Sequence, residues 1–336
     1  MKIAVDAMGS DAYPHPDVEG SVLAAREYGV EIVLVGNREV VEPELAKHQA
    51  ASLPISVFHA SQIIEMNEHP AAAVRSKRDA SMVVAMQMLK RGEVDAFVSA
   101  GNSGGCLASA IFYLGRIKGV ERPALSSIFP TRSGHCFLLD IGANTDCKPL
   151  YLQQFAIMGS VYAERALGVA KPRVAIVSNG EEEDKGSILV QETVPLLKTS
   201  GLNFVGNVEG KDIPAGLADV IVTDGFTGNV IVKLSEGAAK LILGIIKEEI
   251  KARPLATVGA ALAKGAFAQV AKRLDYREYG GGILLGVDGV VIVGHGRSDA
   301  VAIKNAIGVA RKAVDSNVLP AIRESIAAHL TTPTQE

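Results

Sequence analysis

The sequence contains no tryptophan, and aromatic residues make up only 5% of its 336 residues. Proteins that stack bases or sugars need aromatic faces, so such stacking is not expected to be the main binding device. The formal net charge of -3 gives no overall attraction to polyanions, and no nucleic-acid partner is expected. Apolar runs stay below the roughly 18–20 residues that a membrane span requires.

Cysteine is scarce as well, with only Cys106, Cys136 and Cys147. They are too far apart in sequence for a C-x-x-C metal pair, and their odd number argues against a disulfide framework. Free thiols in a reducing compartment are expected, with a catalytic cysteine as the alternative. Since the chain starts directly with a strand-like run in place of a signal peptide, we expect a cytoplasmic protein, at most peripheral on a membrane.

Strand-like and helical patterns alternate along the chain, and this alternation predicts an α/β fold with a mostly parallel, doubly wound sheet. Residues 1–330 are expected to form a single domain, followed by a disordered tail at 331–336. Strands are predicted at 2–7, 31–36, 54–59, 94–99, 124–130, 135–141, 173–178, 202–206, 219–223 and 289–294. Helices are predicted, for example, at 15–28, 80–91, 104–117, 150–167, 186–199 and 299–315.

Five loops rich in Gly, Asn, Ser and Asp follow predicted strands. They are DAMGSD (6–11), SAGNSGG (99–105), DIGANTD (140–146), SNGEEEDKG (178–186) and DGFTGN (224–229). In a doubly wound sheet the carboxyl ends of the strands share one edge, where ligands bind, so the loops predict a common cleft. DGFTGN also precedes a long helical pattern, and we expect unpaired N–H groups there that attract an anion.

None of these loops matches a Walker sequence or an ordered G-x-G-x-x-G. Their side chains are small donors with one cation, a set that holds a small oxyanion and stabilises developing negative charge. The donors are Asn102, Ser103, Asn144, Thr227 and Asn229, and the cation is Lys185. Lys185 is alternatively a solvated lysine at a helix start. The acids at 181–184 are either helix N-terminal acids or groups that orient Lys185.

Two further sites have both a functional and a structural interpretation. Arg75, Lys77 and Arg78 form a basic cluster that converges on phosphate or is exposed surface charge. His295 lies between a predicted strand and a predicted helix, as a hydrogen-bond donor to the cleft or as a structural histidine. Spacing alone establishes no Ser-His-Asp or Cys-His arrangement, so a covalent mechanism has no positive support.

The stretch from 251 to 274 contains no acidic residue and combines basic side chains with an apolar stripe at helical spacing. A basic amphipathic protrusion at about 250–275 is typical of contact with an anionic membrane or an acidic protein. Packing against the core or a second subunit is the alternative, and Gly259 and Gly265 weaken a single rigid helix. The candidate contact residues are Lys251, Arg253, Leu255, Leu262, Lys264, Phe267, Lys272 and Arg273.

As an ordered set, the five loops together with YGGGILLGVDG and GHGRSD resemble the bacterial acyl-ACP:phosphate acyltransferase family of the PlsX type, over residues 1 to about 316. The resemblance implies transfer of a long acyl chain from acyl carrier protein (acyl-ACP) to inorganic phosphate for phospholipid synthesis. It implies a homodimer with a Rossmann-like α/β/α fold, similar to phosphotransacetylases and isocitrate or isopropylmalate dehydrogenases, and neither metal nor organic cofactor.

The resemblance also assigns roles. Lys185 and Asn229 match the family's catalytic positions. Ser10, Gly282 and Ile283 depart from the usual residues but leave the reaction class intact. The carrier is acidic and the acyl phosphate product is poorly soluble, so we expect delivery near an anionic membrane to a downstream glycerol-3-phosphate acyltransferase. The proposed phosphate- and substrate-binding residues are Asp6, Gly9, Arg75, Lys77, Asn102, Ser103, Asn144, Asp224, Thr227, Gly228 and His295.

Three alternatives stay open at this point. The anion cleft would also suit a short-chain phosphate acyltransferase that uses acyl-CoA. A nicotinamide-dependent decarboxylating dehydrogenase would use Asp219 and Asp224 as metal ligands. A non-catalytic membrane scaffold would bind the carrier without turning it over.

Overall fold

The computed structural model describes residues 1–331. The strands are β1 (Lys2–Asp6), β2 (Glu31–Gly36), β3 (Ile55–His59), β4 (Ala96–Ser99), β5 (Ala124–Thr131), β6 (Gly134–Leu139), β7 (Val174–Val177), β8 (Phe204–Val208), β9 (Val220–Val222), β10 (Gly282–Leu285) and β11 (Val290–Val293). The helices are α1 (His15–Tyr28), α2 (Arg38–Ala46), α3 (Pro70–Ser76), α4 (Ser81–Lys90), α5 (Ser103–Ser109), α6 (Pro149–Arg165), α7 (Ile188–Lys198), α8 (Asp212–Ala215), α9 (Gly225–Lys251), α10 (Pro254–Leu262), α11 (Lys264–Leu274), α12 (Ala300–Asp315) and α13 (Val318–Thr331).

One eleven-stranded sheet runs in the order β3-β2-β1-β4-β11-β10-β5-β6-β9-β7-β8. Alternate residues of β1 enter different cores: Ile3 and Val5 pack with α1 and α12, whereas Ala4 packs with α4. Helices therefore cover both faces, as successive strand side chains point to opposite sides. The predicted α/β fold with a mostly parallel sheet is confirmed, and each predicted strand overlaps an observed one.

The prediction that all five loops leave the same edge of the sheet is wrong, because the central strands are antiparallel. β10 pairs antiparallel with both β11 and β5, and β5 forms an antiparallel hairpin with β6. The strands beyond the hairpin therefore run opposite to β1, β4 and β11. Loops after β1 and β4 leave one edge, and loops after β6, β7 and β9 leave the other. β10 itself lies in a segment for which no strand was predicted from sequence.

The two sets of loops nevertheless start at nearly the same position along the strand direction. Val293 at the end of β11 pairs with Gly282, and Leu139 at the end of β6 pairs with Ser126. Because Leu284 pairs with Leu125, the two carboxyl ends differ by about one residue, roughly 3.4 Å along the strands. The loops therefore flank the central strands β10 and β5 from opposite directions, and a cleft across these strands is reached by both.

Residues 250–275 project from this body. α10 and α11 contain no buried residue, and Leu255 and Leu262 are 86% and 87% exposed. This segment forms two short helices separated by a break at Ala263, which lies between Gly259 and Gly265. None of the helices described within residues 1–331 combines the length and apolar character that crossing a bilayer needs. The predicted disordered tail at 331–336 lies outside the described residues except for Thr331, the last residue of α13.

Candidate active site

The loop after β1 is held by a buried carboxylate. Asp6 accepts hydrogen bonds from the Ser81 and Ser99 hydroxyls at 2.6 and 2.8 Å, and burial raises the pKa of its carboxyl. A side chain on Gly9 would come within 2.9 Å of both Asp6 Oδ2 and the Gly101 nitrogen. Asp6 and Gly9 thus bring the loops after β1 and β4 into direct contact, and neither residue lines the cavity described below.

A second buried carboxylate anchors the same loop. Asp17 of α1 is fully buried, its Oδ2 accepts from the Ser10 hydroxyl at 2.6 Å, and its Oδ1 has no hydrogen-bond partner within the described residues. Burial raises the pKa of Asp17 to about 8, with the negative charge of Asp6 adding to the effect. Asp17 therefore binds a proton in the folded protein at neutral pH, whereas the unfolded chain does not.

We expect Asp17→Asn to gain stability relative to the wild type as the pH rises. Between about pH 4 and 8 the folded state holds one more proton at Asp17, so this group lowers the unfolding free energy by up to about 1.4 kcal/mol per pH unit. The asparagine amide does not titrate, so Asp17→Asn removes this contribution to the pH dependence of the unfolding free energy. Urea unfolding at pH 6 and pH 8, with Asp146→Asn as an exposed control, measures it. If the unfolding free energies of Asp17→Asn and the wild type differ by the same amount at both pH values, Asp17 is ionised in the folded protein over this range.

Asn102 and Ser103 lie at the start of α5. The Asn102 side chain caps the helix by accepting from Gly105 N–H at 3.0 Å, and its amide nitrogen faces the carbonyl oxygens of Glu65, Met66 and Glu68. These contacts account for its donors and give it a structural task. Ser103 is exposed and lines the cavity described below. Of the two, the structure places Ser103 at the cleft surface.

The prediction of unpaired N–H groups at the start of α9 is wrong for Gly225, Thr227 and Gly228, whose N–H groups have protein acceptors. Asp224 caps the helix, accepting from the Thr227 amide at 2.9 Å and from the Thr227 hydroxyl at 2.7 Å. Gly225 N–H donates to the Asn144 carbonyl at 2.7 Å, and Gly228 N–H to the Asp224 carbonyl. Protein groups therefore use most of the donors that an anion would need, since aspartate is a strong N-cap.

The loop after β6 is tied to α9 at close range. Asp140 accepts from the Asn144 amide and side chain at 2.7 and 2.8 Å, and a Cβ on Gly228 would lie 1.9 Å from the Asp140 carbonyl oxygen. Asn229 donates to the Ile141 carbonyl at 3.1 Å. The structure thus brings Asn144, Asp224, Thr227, Gly228 and Asn229 together at one edge of the cleft.

Lys185 follows β7, on the same edge as α9 because β7 and β9 are neighbours. It is exposed and its stem lies against Gly180. The helix start predicted at 186 is wrong: α7 begins at Ile188, capped by Ser187. The acids are consequently not helix N-terminal. Two of them bind other lysines, Glu183 with Lys198 at 2.5 Å and Glu181 with Lys211 at 3.7 Å.

A cavity of about 130 Å³ lies across β5 and β10, between the two sets of loops. Its wall is formed by β5 and by one side of α9, where Val232 and Glu236 are spaced three and seven residues from Asn229 and so share its face. Ser103 and His295 border the cavity from the first set of loops and Ile141 from the second. The Lys185 side chain is not part of this lining.

Glu236 and Arg297 join the two sides of the cleft, and neither residue was predicted from sequence. Glu236 binds Arg297 at 2.7 Å and lies 3.8 Å from His295 Nε2. Burial lowers the pKa of His295, and the charge of Glu236 opposes the shift. The neutral imidazole can donate one hydrogen bond at the cavity. The spacing of seven from Asn229 is the signal that could have indicated Glu236.

The basic cluster on α3 lies elsewhere. The Lys77 ammonium binds Glu68 at 2.6 Å and the Ile63 carbonyl at 2.7 Å. Arg75 lies 4.9 Å over the Phe112 ring and, with Arg78, lines a separate cavity. α3 ends at Ser76, so the two arginines are not one helical turn apart. The structure does not bring Arg75 or Lys77 to the cavity between the loops.

The remaining reactive groups have structural partners. Cys106, Cys136 and Cys147 are free thiols, and burial raises the pKa of each to about 12, so none is a ready thiolate at neutral pH. Asp219 binds Arg173 at 2.9 Å, and Asp224 caps α9. Their contacts give the two aspartates structural roles in place of the metal-ligand roles that the dehydrogenase alternative needs.

Comparison with known proteins covers nearly the whole chain. A family model described as fatty acid synthesis protein matches residues 1–320. The chain is 50% identical over 329 residues to a phosphate acyltransferase of Geotalea daltonii, covering 97% of this chain and 95% of the relative. It is 46% identical over 336 residues to a phosphate acyltransferase of Geobacter sulfurreducens, covering 100% and 97%.

Solved structures share the fold at low sequence identity. A phosphotransacetylase from Streptococcus pyogenes aligns with a TM-score of 0.60 and 16% identity, covering 93% of this chain and 94% of that one. A branched-chain phosphotransacylase from Enterococcus faecalis aligns with a TM-score of 0.59 and 12% identity, covering 94% and 99%. A 4-hydroxythreonine-4-phosphate dehydrogenase from Klebsiella pneumoniae aligns at 0.50 and 14% identity, covering 93% and 98%. The predicted likeness to phosphotransacetylase and dehydrogenase folds is confirmed.

Proposed function

Because this chain belongs to the phosphate acyltransferase (PlsX) family and is an acyltransferase, we propose that its donor is long-chain acyl-ACP and its acceptor inorganic phosphate. The product is then an acyl phosphate that supplies phospholipid synthesis. The observation that supports this most strongly is the mixed character of the cavity. Its lining combines apolar side chains of β5 and α9 with Ser103 and His295. By helical spacing Asn229 lies on the same face of α9 as the lining residues Val232 and Glu236.

Such a cavity suits the reacting end of an acyl thioester. Its volume of about 130 Å³ equals the space of roughly four water molecules, enough for a carbonyl group or a phosphate. Leu125, Ile128 and Phe129 offer apolar contact to the first carbons of the chain. His295 would supply a neutral donor to the cavity, and Arg297, bound to the lining residue Glu236 at 2.7 Å, adds a positive charge nearby. Phosphate and thioester would thereby be held together.

In the proposed reaction a phosphate oxygen attacks the carbonyl carbon of the thioester. The carbon–oxygen bond forms, the carbon–sulfur bond breaks, and the proton of hydrogen phosphate passes to the departing sulfur. Lys185 would attract phosphate and stabilise the oxyanion, and Asn229 would donate to the same centre. No protein nucleophile is required, which agrees with the high thiol pKa values of the three cysteines.

The donor is tested by competing substrates. Purified enzyme with phosphate is given palmitoyl-ACP, acetyl-CoA or butyryl-CoA, and acyl phosphate is measured. We expect product from palmitoyl-ACP and little from the CoA thioesters. Activity only with acetyl- or butyryl-CoA would establish the short-chain alternative. Binding of the carrier without phosphate-dependent loss of the thioester would establish the scaffold alternative.

The projecting helices would serve the partners of this reaction. Leu234, Leu241 and Ile245 of α9 are 69%, 64% and 50% exposed and lie along one side, which a second copy of the chain would cover in a homodimer. On α10 and α11 the exposed residues Leu255 and Leu262 accompany a row of basic side chains. Opposite charge steers an acidic carrier, and the apolar stripe suits an anionic membrane surface.

Charge reversal tests this surface. Replacing Arg253, Lys264 and Lys272 with Glu should weaken binding of palmitoyl-ACP and of anionic vesicles by about 100-fold or more at low salt, since each Lys or Arg near an anionic surface contributes about 1 kcal/mol. Binding is measured by vesicle co-sedimentation and by carrier titration. The matched control reverses Lys118, Arg165 and Lys171, which are exposed elsewhere. Equal binding by both triple variants would contradict the assignment.

A further inference from the structure

Two histidines and a buried carboxylate converge at the junction of α1 and α2, away from the cleft. Glu44 Oε1 lies 2.9 Å from His15 Nδ1 and 3.4 Å from His48 Nε2. All three potential ligand atoms lie within 4.8 Å of one another. The Glu44 side chain is only 10% exposed and that of His48 19% exposed. A carboxylate with two imidazoles is a common donor set for zinc.

We propose that His15, Glu44 and His48 form a binding site for a divalent transition metal of the zinc class, independent of the acyl-transfer cleft. Tetrahedral zinc holds ligands at about 2.0–2.1 Å, which places neighbouring ligand atoms about 3.4 Å apart. The observed separations of 2.9 and 3.4 Å need only small side-chain movements to match. His15 is 63% exposed, so water can fill the fourth position.

The surrounding groups orient the proposed ligands. Lys47 binds Glu44 Oε2 at 2.7 Å, which orients the carboxylate and leaves Oε1 for the metal. Glu19 Oε2 lies 3.6 Å from His15 Nε2, the outer position where metal-binding histidines commonly meet a carboxylate. Glu44 and His48 also lie at the C-terminal end of α2, where positive charge is favoured.

A bound metal would cross-link α1 to the segment after α2. α1 also carries Asp17, which holds Ser10 of the loop after β1. The metal would therefore add a third anchor to the base of that loop without contacting the cavity. Its expected signature is higher thermal stability with Zn²⁺, because a ligand that binds only the folded state stabilises it.

The test uses untagged protein and isothermal titration with Zn²⁺, with Mg²⁺ as a hard-cation control. We expect one Zn²⁺ per chain, visible absorption of tetrahedral Co²⁺, and a rise in Tm with Zn²⁺ only. His15→Gln and His48→Gln should each weaken Zn²⁺ binding by at least about tenfold, and Glu19→Gln by about 10- to 100-fold. His135→Gln, an exposed histidine elsewhere, should bind like the wild type.

Two results would overturn the proposal. One is an absence of Zn²⁺ binding by the wild type at 0.1 mM metal (about 5.5 kcal/mol of binding free energy). The other is unchanged stoichiometry and affinity in the double variant His15→Gln/His48→Gln, which would place any bound metal elsewhere. Circular dichroism of the metal-free variants keeps the test decisive, because a folded variant that loses binding supports the site.

Discussion

Lys185→Ala is expected to lower kcat/KM for phosphate by about 100- to 1000-fold, the usual cost of losing one charged or polar donor at a developing oxyanion. The side chain is exposed beside the edge of the sheet that carries α9, so its removal leaves no cavity in a core. We expect the Tm and the circular dichroism spectrum to stay those of the wild type. Steady-state kinetics with palmitoyl-ACP and varied phosphate measure the effect.

Lys198→Ala is the matched control for this prediction. Lys198 is a neighbouring lysine whose ammonium binds Glu183, and an exposed ion pair of this kind contributes little. Its variant should keep activity within about twofold of the wild type. If Lys185→Ala and Lys198→Ala have the same activity, Lys185 has no role in the reaction and the cation must come from another residue such as Arg297.

Asn229→Ala is expected to reduce kcat by about 100-fold or more, with a smaller effect on KM. Asn229 shares a face of α9 with two lining residues of the cavity, and its amide donates to the Ile141 carbonyl at 3.1 Å. The variant loses both a donor near the reacting carbon and a link to the loop after β6. Kinetics under saturating phosphate separate the loss in kcat from any loss of phosphate binding.

Asn229→Asp distinguishes a donor from a spacer. The carboxylate keeps the size of the amide but presents a negative charge and no donor. If Asn229 acts as a donor, the activity of Asn229→Asp is no higher than that of Asn229→Ala. Asn203→Ala, an exposed asparagine that donates to the Lys171 carbonyl, serves as the control and should retain full activity. Activity of Asn229→Asp close to that of the wild type would contradict a donor role.

The strands were predictable because buried β-branched runs separated by turn residues leave few alternatives. The direction of the central strands was not. Strands that alternate with helices along the sequence favour a parallel sheet. The short turn between β5 and β6 has no strong sequence signal for a hairpin. No strand was predicted at Gly282 to Leu285 because glycines surround this short apolar run. In the structure these residues form β10, which pairs with β11 and with β5. The reversal of the sheet therefore emerges from tertiary pairing.

The candidate site shows the same limit. Asn102 and Asp224 were identified from loop composition, but their side chains cap helices, a task that asparagine and aspartate perform as readily as ligand binding. Glu236 was missed because its only local signal is the spacing of seven residues from Asn229, which several residues of a long helix match as closely. Its partner Arg297 lies 61 residues away, and only the folded chain places the two side by side. Sequence located the loops, while packing decided which side chains reach the cavity.

Thiol release in the absence of phosphate distinguishes direct attack by phosphate from a covalent acyl-enzyme. Enzyme is mixed with an equal amount of palmitoyl-ACP, free carrier thiol is followed in time, and phosphate is added afterwards. Direct attack by phosphate predicts no thiol release before the addition, then one carrier thiol and one palmitoyl phosphate for each thioester consumed. A phosphate-independent burst of one thiol per enzyme, or no palmitoyl phosphate after phosphate is added, would contradict the account.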